Sequence, residues 1–599
     1  MRTAETILNI IQDRGKRGLP LDDVYRQLYN PDMFLRAYAR LQRNKGAMTQ
    51  GVTEETVDGM SQEKIARMIE AIRYERWRWS PVRRVDIPKS NGKTRPLGVP
   101  TWSDKLVQEV RRSILEAYYE PQFSEHAHGF RPHRGCHTAL SEIKHTWLGT
   151  KWFVEGDIKG CFDSIDHNIL ATILRENIQD NRVLRLIEGL LKAGDCEEWT
   201  YHPSHSGTPQ GGIASPLLSN IYMNRLDKWV ENTLIPDYTR GEKREAHQEY
   251  KRLQGLAQYH RKAGHLERAE ELRRQAQQHP SQDPTDPGYR RLRYVRYADD
   301  FLLGLAGPKA EADEIKARLT TFLQTELNLT LAVDKTLITH GETCRARFLG
   351  YEIGIMKSQT KFDARRRRSV NAMIGLYIPE DVIQKKRKRY LRDGQVIHRP
   401  ELMNDSEYDI IHRYQSEYRG LVEYYGLTLN LAQLAYLKWT METSLLKTLA
   451  NKNRTTVVKT LKRLQTTTQT PHGPRKCLKL IIPRKGHTPL VATFGGLTVT
   501  RKNAAIKDQV VHPHIQMRSE ILERLLNDTC DVCGAQENVQ MHHMRKLADL
   551  NKKSHGEKPL WMKIMIARRR KSIPLCRRCH MDIHYNRPKS KRQGNQRAG

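Results

Sequence analysis

The tetrad Tyr297-Ala298-Asp299-Asp300 lies between the apolar runs Tyr294-Val295 and Phe301-Leu302-Leu303, and it constrains the fold more sharply than any other stretch. Successive residues of a regular strand point to opposite faces, so adjacent aspartates serve one site only where the backbone turns. A hairpin with its tip at Ala298-Asp299-Asp300 meets that condition. It would hold carboxylates at the end of a sheet, where a hard cation such as Mg²⁺ is bound by one or two carboxylates plus substrate phosphates. Asp is also a favoured residue of ordinary turns. The company the tetrad keeps decides between the two readings.

The chain has 599 residues, room for several domains, and a formal charge of +34. Such a field attracts polyanions and can neutralise many phosphates at once. Nucleic acid is the expected partner. No apolar stretch is long enough to span a membrane, and no polybasic juxtamembrane pattern accompanies one. Met1 to Asp13 lacks the pattern of a secretory signal. Of nine cysteines, Cys530, Cys533, Cys576 and Cys579 form two C-x-x-C pairs while the others are isolated. That distribution fits a reduced protein with a metal site better than a disulfide framework.

Five segments follow from the patterning. Residues 1–80 read as helical, with apolar spacing at Val24, Leu28, Phe34, Leu35 and Leu41; 81–355 alternate short apolar strands with helices. A Glu/Arg-rich insertion over 239–288 suits a solvated helix or helical hairpin and closes on three prolines. Residues 356–465 are helical and basic, with runs at Arg365–Arg368 and Lys385–Arg389. Residues 466–525 are less regular, and 526–599 hold the cysteine pairs and a basic tail.

Upstream of the tetrad, Trp152-Phe153-Val154-Glu155-Gly156-Asp157 reads as a strand ending in a carboxylate, followed by Phe162. Two-metal phosphoryl transfer needs a carboxylate that bridges both cations, and Asp157 with Asp299 and Asp300 supplies the set. Between them, Gly207-Thr208-Pro209-Gln210-Gly211-Gly212 is a loop whose glycines allow close approach of backbone to a ligand. In this order the chain resembles reverse transcriptases, specifically those encoded by group II introns. Ile87–Pro100 resembles the fingers motif that binds the incoming triphosphate, implying Lys89 and Arg95 as phosphate contacts. His128–Leu140 resembles the second fingers block, and its Arg131 and Arg134 are candidate nucleic-acid contacts. By the same resemblance Phe162 is a steric gate against a ribose 2′-OH, Gln210 lies near the nascent base pair, and Lys335 is a general acid for pyrophosphate. Phe348-Leu349-Gly350-Tyr351 resembles the primer grip. Taken singly, Phe162 could be core and Lys335 a surface lysine.

Tyr414–Tyr425 and Leu445–Lys452 resemble the thumb or maturase region of intron proteins, which implies binding of a cognate intron RNA; Arg365, Arg366, Lys385, Lys386 and Arg387 are its candidate RNA contacts. Cys530, Cys533, Cys576 and Cys579 have the spacing of a structural Cys₄ zinc site. The segment between the pairs holds His542-His543, and His580 and His584 follow, one helical turn apart. This resembles an HNH endonuclease with a zinc knuckle. The resemblance implies His542, His580 and His584 as ligands of a divalent ion and His543 as general base, with Asn551 available as the middle Asn. A purely structural finger, or one Cys₂His₂ site with spare cysteines, is the alternative.

The expected architecture is multidomain α/β and α+β: a right-hand polymerase with fingers and palm, a helical thumb, a small DNA-binding region at 466–525 and a ββα-metal HNH module. The expected protein is a reverse transcriptase, maturase and endonuclease. It would use two Mg²⁺ ions, a structural Zn²⁺ and a divalent ion at the HNH site, with intron RNA, target DNA and dNTPs as partners, in the cytoplasm of a bacterium or an organelle. A stand-alone reverse transcriptase should lack the last two modules, and a splicing-only maturase tends to lose the paired aspartates.

Overall fold

A computed structural model describes residues 2–88, 92, 94–197, 200–202, 204, 206–208, 211–332, 334–358, 360–362, 364, 369–484, 486–500, 520–550, 558–568 and 570–585. Lys89, Gln210, Arg365, Arg366, Asn551 and the basic tail lie outside the described residues. At the centre is a four-stranded antiparallel sheet in the order Arg291–Tyr297, Asp300–Ala306, Trp152–Asp157, Ile338–His340. Its apolar runs are nearly continuous because both faces are covered. Phe301, Leu303 and Leu305 turn into one hydrophobic core, and Leu302 between them turns into a second. Val154 and Phe153 divide between the cores in the same way. That is the period of two expected of a pleated strand.

The first core extends into an N-terminal lobe, where the helices Ala4–Lys16, Pro31–Leu41 and Gln62–Arg73 share it with the long helix Trp102–Tyr119. All four start at a residue whose side chain accepts a backbone N–H of the first turn: Thr3, Asn30, Ser61 and Thr101. These caps satisfy donors that have no helical acceptor. Beside them the hairpin Val82–Pro88 and Thr94–Val99 joins Asp195–Glu197 and Thr200–His202 in a second four-stranded sheet. The charged insertion is a helical hairpin, Gln248–Lys262 and Leu266–Ala276, with a small core of its own around Leu253 and Leu272.

The second core joins the other face of the central sheet to the helices Glu407–Tyr424, Leu434–Lys452 and Val457–Leu464. Residues 465–495, which the sequence leaves irregular, are an antiparallel meander of Gln465–Thr470, Gly473–Arg484 and His487–Gly495. Leu478, Ala492 and Phe494 belong to the second core, and Phe494 packs edge-on against Tyr414 at 6.3 Å. The meander was illegible because one face is solvated and rich in Thr, Lys and Arg, so the few apolar residues look scattered.

At the C-terminal end the strands Val539–His543 and Ser572–Cys576 pair antiparallel and run into the helix Arg577–His584, a ββα unit. This unit is docked on the N-terminal lobe. Met541 exchanges both backbone hydrogen bonds with the Gly59-Met60 segment, at 3.0 and 2.8 Å. Met541, Ile521, Leu522 and Leu525 are buried in the first core.

Phe494→Ala is expected to cost about 3–5 kcal/mol of local stability. Hydrogen exchange should then rise through residues 465–495 while the central sheet keeps its protection.

Candidate active sites

The two-residue loop Ala298-Asp299 connects strands in which Tyr297 pairs with Asp300, and on the other side Asp300 pairs with Asp157. Cross-strand neighbours lie about 5 Å apart, so this register sets two carboxylates side by side with the third on the turn. Ala298 has φ +57°, the left-handed conformation that a two-residue hairpin requires at its first loop position. Gly129 packs against it so closely that a Cβ there would lie 2.3 Å from the Ala298 nitrogen.

Beneath the turn is an ion pair that sequence reading missed. Arg296, 1% exposed, donates from Nε and Nη2 to the carboxylate of Asp227, 0% exposed, at 2.7 Å each. Its Nη1 donates to the Ala298 carbonyl at 2.7 Å and to Asn220 Oδ1 at 3.2 Å. Asn220 donates to the Gly129 carbonyl, and the Tyr294 hydroxyl donates to Asp227. One guanidinium thus ties the catalytic turn to the helix Ser215–Trp229. The available signal was an arginine inside an apolar strand, because a buried charge needs a partner.

Lys335 donates a hydrogen bond to Asp157, and that carboxylate raises the lysine's pKa. Burial, then Asp299 and Asp157, push the Asp300 carboxyl up to about 7. Burial also raises Asp299, and Arg95 and Lys335 act on it in the opposite direction. Arg95, on the exposed end of its strand, therefore lies within electrostatic reach of the aspartates. Phe162 is only half buried, edge-on to Phe130 at 6.1 Å; it is not core. Gly211 has φ +106°, and a Cβ there would meet the Gly98 carbonyl at 2.7 Å, so the glycine loop lies against the triphosphate-motif strand. On the other side, the Tyr424 hydroxyl donates to the Leu349 carbonyl at 2.7 Å and Tyr425 donates to Gly350. These bonds fasten the turn at Leu349-Gly350 to the helical thumb.

The basic contacts divide. Arg131 is 7% exposed, and its guanidinium is consumed by Glu120 and by the carbonyls of Ser124 and Ala127. The expectation that it contacts nucleic acid is corrected: it is an internal brace. Arg134 is ion-paired with Glu125. Arg387 lies 3.9 Å from the Tyr436 ring and donates to its hydroxyl, pinning its helix to Leu434–Lys452. Lys385 and Lys386 are exposed.

In the C-terminal module the sulfurs of Cys530, Cys533, Cys576 and Cys579 lie within 4.8 Å of one another. Cys533 and Cys576 are 3.6 Å apart, close to the roughly 3.8 Å edge of a tetrahedron with Zn–S bonds of about 2.3 Å. The donor set fits zinc. The ligand atoms of His542, His580 and His584 also converge within 4.8 Å, together with Asp58, a residue of the N-terminal lobe. His580 Nε2 and His584 Nε2 are 3.2 Å apart. Both ring nitrogens of His542 are buried without a hydrogen-bond partner, which suits a cation ligand. His543, the next residue of the strand, points toward the N-terminal lobe, where its Nε2 meets the Tyr38 hydroxyl at 2.9 Å. Burial lowers its pKa to about 4, so the ring is neutral.

Three family models match the chain: reverse transcriptase (RNA-dependent DNA polymerase) over residues 87–353, type II intron maturase over 376–482, and AI2M/AI1M-like HNH endonuclease over 530–580. The group II intron-encoded protein LtrA of Lactococcus lactis subsp. cremoris is 38% identical over 97% of this chain and 99% of its own length. The putative COX1/OXI3 intron 1 protein of Saccharomyces cerevisiae is 33% identical, over 94% of this chain and 69% of its own. An uncharacterised 91 kDa protein in the cob intron of Schizosaccharomyces pombe is 33% identical over 98% and 73%. A carboxylate-tipped polymerase sheet, maturase helices and a ββα module define a multifunctional reverse transcriptase. The chain belongs to the group II intron-encoded proteins, and it is an RNA-directed DNA polymerase and a DNA endonuclease.

Two outcomes follow from the polymerase site. Asp227→Ala would strand the buried Arg296 charge, at a cost of about 3–5 kcal/mol, and should lower both the melting temperature and primer extension. Asp300→Asn should stabilise the metal-free protein at pH 8. Its folded pKa of about 7 lies above the ordinary 3.8, so ionisation destabilises the fold progressively between those values. The gain should fade as pH falls toward 4 in a melting series.

Proposed function

We propose that this protein performs target-primed reverse transcription of its intron. The HNH module nicks one strand of a DNA target, and the polymerase extends the new 3′-hydroxyl with dNTPs on the intron RNA. The observation that carries the reading is the register of Asp157 against Asp300, with Asp299 on the adjoining turn, in one chain with a ββα unit whose histidines converge.

Asp157, Asp299 and Asp300 would hold two Mg²⁺ ions, which when bound supply stabilisation of the attacking and leaving oxygens. The 3′-hydroxyl releases its proton to solvent as its oxygen forms a bond to the α-phosphorus and the bond to pyrophosphate breaks. Lys335 gives a proton to the departing pyrophosphate and regains one from solvent. Its place against Asp157 supports this role, because the carboxylate keeps the ammonium charged until it is needed. Arg95 and Lys89 bind the triphosphate, Phe162 excludes a 2′-hydroxyl, and Gln210 lies against the nascent pair. In the HNH site His543 takes the proton of the attacking water. A neutral imidazole, as its lowered pKa provides, is the form that can do so. Zn²⁺ at the four cysteines is structural.

The thumb is the intron-RNA platform, gripping shape and phosphates through Lys385 and Lys386, with Arg365 and Arg366. Residues 466–525 would contribute to target-DNA binding. No described helix is long and apolar enough to cross a membrane. The working compartment in this reading is that of the intron and its target DNA, bacterial cytoplasm and nucleoid or an organelle. A splicing-only maturase with an inactive polymerase is disfavoured by the three intact aspartates.

The test is extension by purified protein on a DNA target, with and without intron RNA. Asp299→Ala should reduce extension by about 10³-fold or more, the equivalent of several kcal/mol of transition-state stabilisation, and leave nicking intact. His543→Ala should lose nicking, and with it extension on an intact target, while extending a pre-nicked target at the parent rate. Full extension by Asp299→Ala would overturn the polymerase assignment. RNA affinity should fall steeply with added salt.

A further inference from the structure

Asp58 reaches the HNH histidines from another domain. Its Oδ1 lies 3.2 Å from His542 Nδ1, and its Oδ2 lies 3.2 Å from His580 Nε2 and 2.9 Å from His584 Nε2. The residue is held in place on both sides. Gly59 and Met60 pair with Met541, and the His543 amide donates to Asp58 Oδ1 at 2.7 Å. A tetrahedron with metal–ligand bonds of about 2.0–2.1 Å has edges of roughly 3.3 Å, close to the separations found here. His542 Nδ1 stands near the carboxylate without making a hydrogen bond to it, as two ligands do when each faces a common point. His580 is oriented for the same task by Gln540, whose Oε1 is 2.9 Å from its other nitrogen.

We propose that Asp58 is a fourth, inter-domain ligand of the HNH divalent ion, and that with Tyr38 on His543 it keeps the endonuclease latent until the module leaves the N-terminal lobe. To a hard cation a carboxylate oxygen and a phosphate oxygen are alike, so Asp58 takes the coordination position that the scissile phosphate needs. Catalytic metal sites keep one position open, and closed sets of protein ligands are the structural kind. At the same time the Tyr38 hydroxyl occupies the His543 nitrogen that would accept the proton of water, and His543 is 6% exposed. Metal position and base are thus blocked by one surface. Displacing it exposes both to target DNA, whose phosphates compete with Asp58.

This inference rests on the endonuclease reading, and the experiment separates the two. Mn²⁺ binding is read by electron paramagnetic resonance in zinc-loaded protein carrying Asp299→Asn and Asp300→Asn, which silences the polymerase site. Asp58→Ala should weaken binding at the HNH site at least tenfold. At saturating Mn²⁺, Asp58→Ala and Tyr38→Phe should each nick target DNA several-fold faster than the parent. Hydrogen exchange should rise at residues 56–60 and 539–543 in Asp58→Ala while the other amides keep their protection, which distinguishes release of the module from unfolding. Unchanged Mn²⁺ affinity in Asp58→Ala, or nicking no faster in either variant, would overturn the proposal. If His542→Ala nicks as fast as the parent, the endonuclease site itself lies elsewhere.

Discussion

The buried pair of Arg296 and Asp227 is the interaction on which the polymerase end of the molecule depends. Taking two charges out of water costs several kcal/mol per ion, recovered only when geometry is good and the remaining donors are used. Here the geometry is bidentate, and the remaining donor goes to Ala298 and Asn220. A greasy pair of similar volume could fill the same space. It could not hold a carbonyl of the catalytic turn and a helix side chain in one plane. The pair therefore sets position more than it adds stability. Three carboxylates that repel one another are kept at one sheet end by a cation behind them and a lysine in front.

That repulsion explains why the site is built at the edge of two cores. The central sheet is apolar on both faces, so a one-residue slip would send every side chain into the opposite core, whose close packing it does not fit. Register is fixed far from the chemistry, and the aspartates inherit it. The thumb is attached through tyrosine hydroxyls that donate to the carbonyls of Leu349 and Gly350. These directional bonds position it on the sheet. The meander at 465–495 extends the same core through Phe494, so the thumb is larger than its helices.

The endonuclease module is joined to the rest by a different logic. Its contacts to the N-terminal lobe combine one short backbone bridge, a few buried apolar residues and the cluster around Asp58. Of these contacts, the Asp58 carboxylate is the one whose chemistry a phosphate oxygen can replace.

Spacing and residue type made much of this protein legible. Alternating apolar strands and helices, the turn at Asp299-Asp300, the strand ending at Asp157, the paired cysteines and the histidine spacing are local patterns, and local geometry acts on each one directly. Other features depend on residues far apart in the chain. Arg296 and Asp227 are 69 positions apart, and Asp58 lies 522 residues before His580, so no periodicity joins them. Arg131 shows the opposite failure. An arginine in a basic block reads as a phosphate contact, yet packing wraps it in the carbonyls of its own loop. The sequence by itself determined which groups are available for chemistry and the element each sits on. Only the tertiary structure decided which are free to act, because burial and pairing are properties of the space between elements.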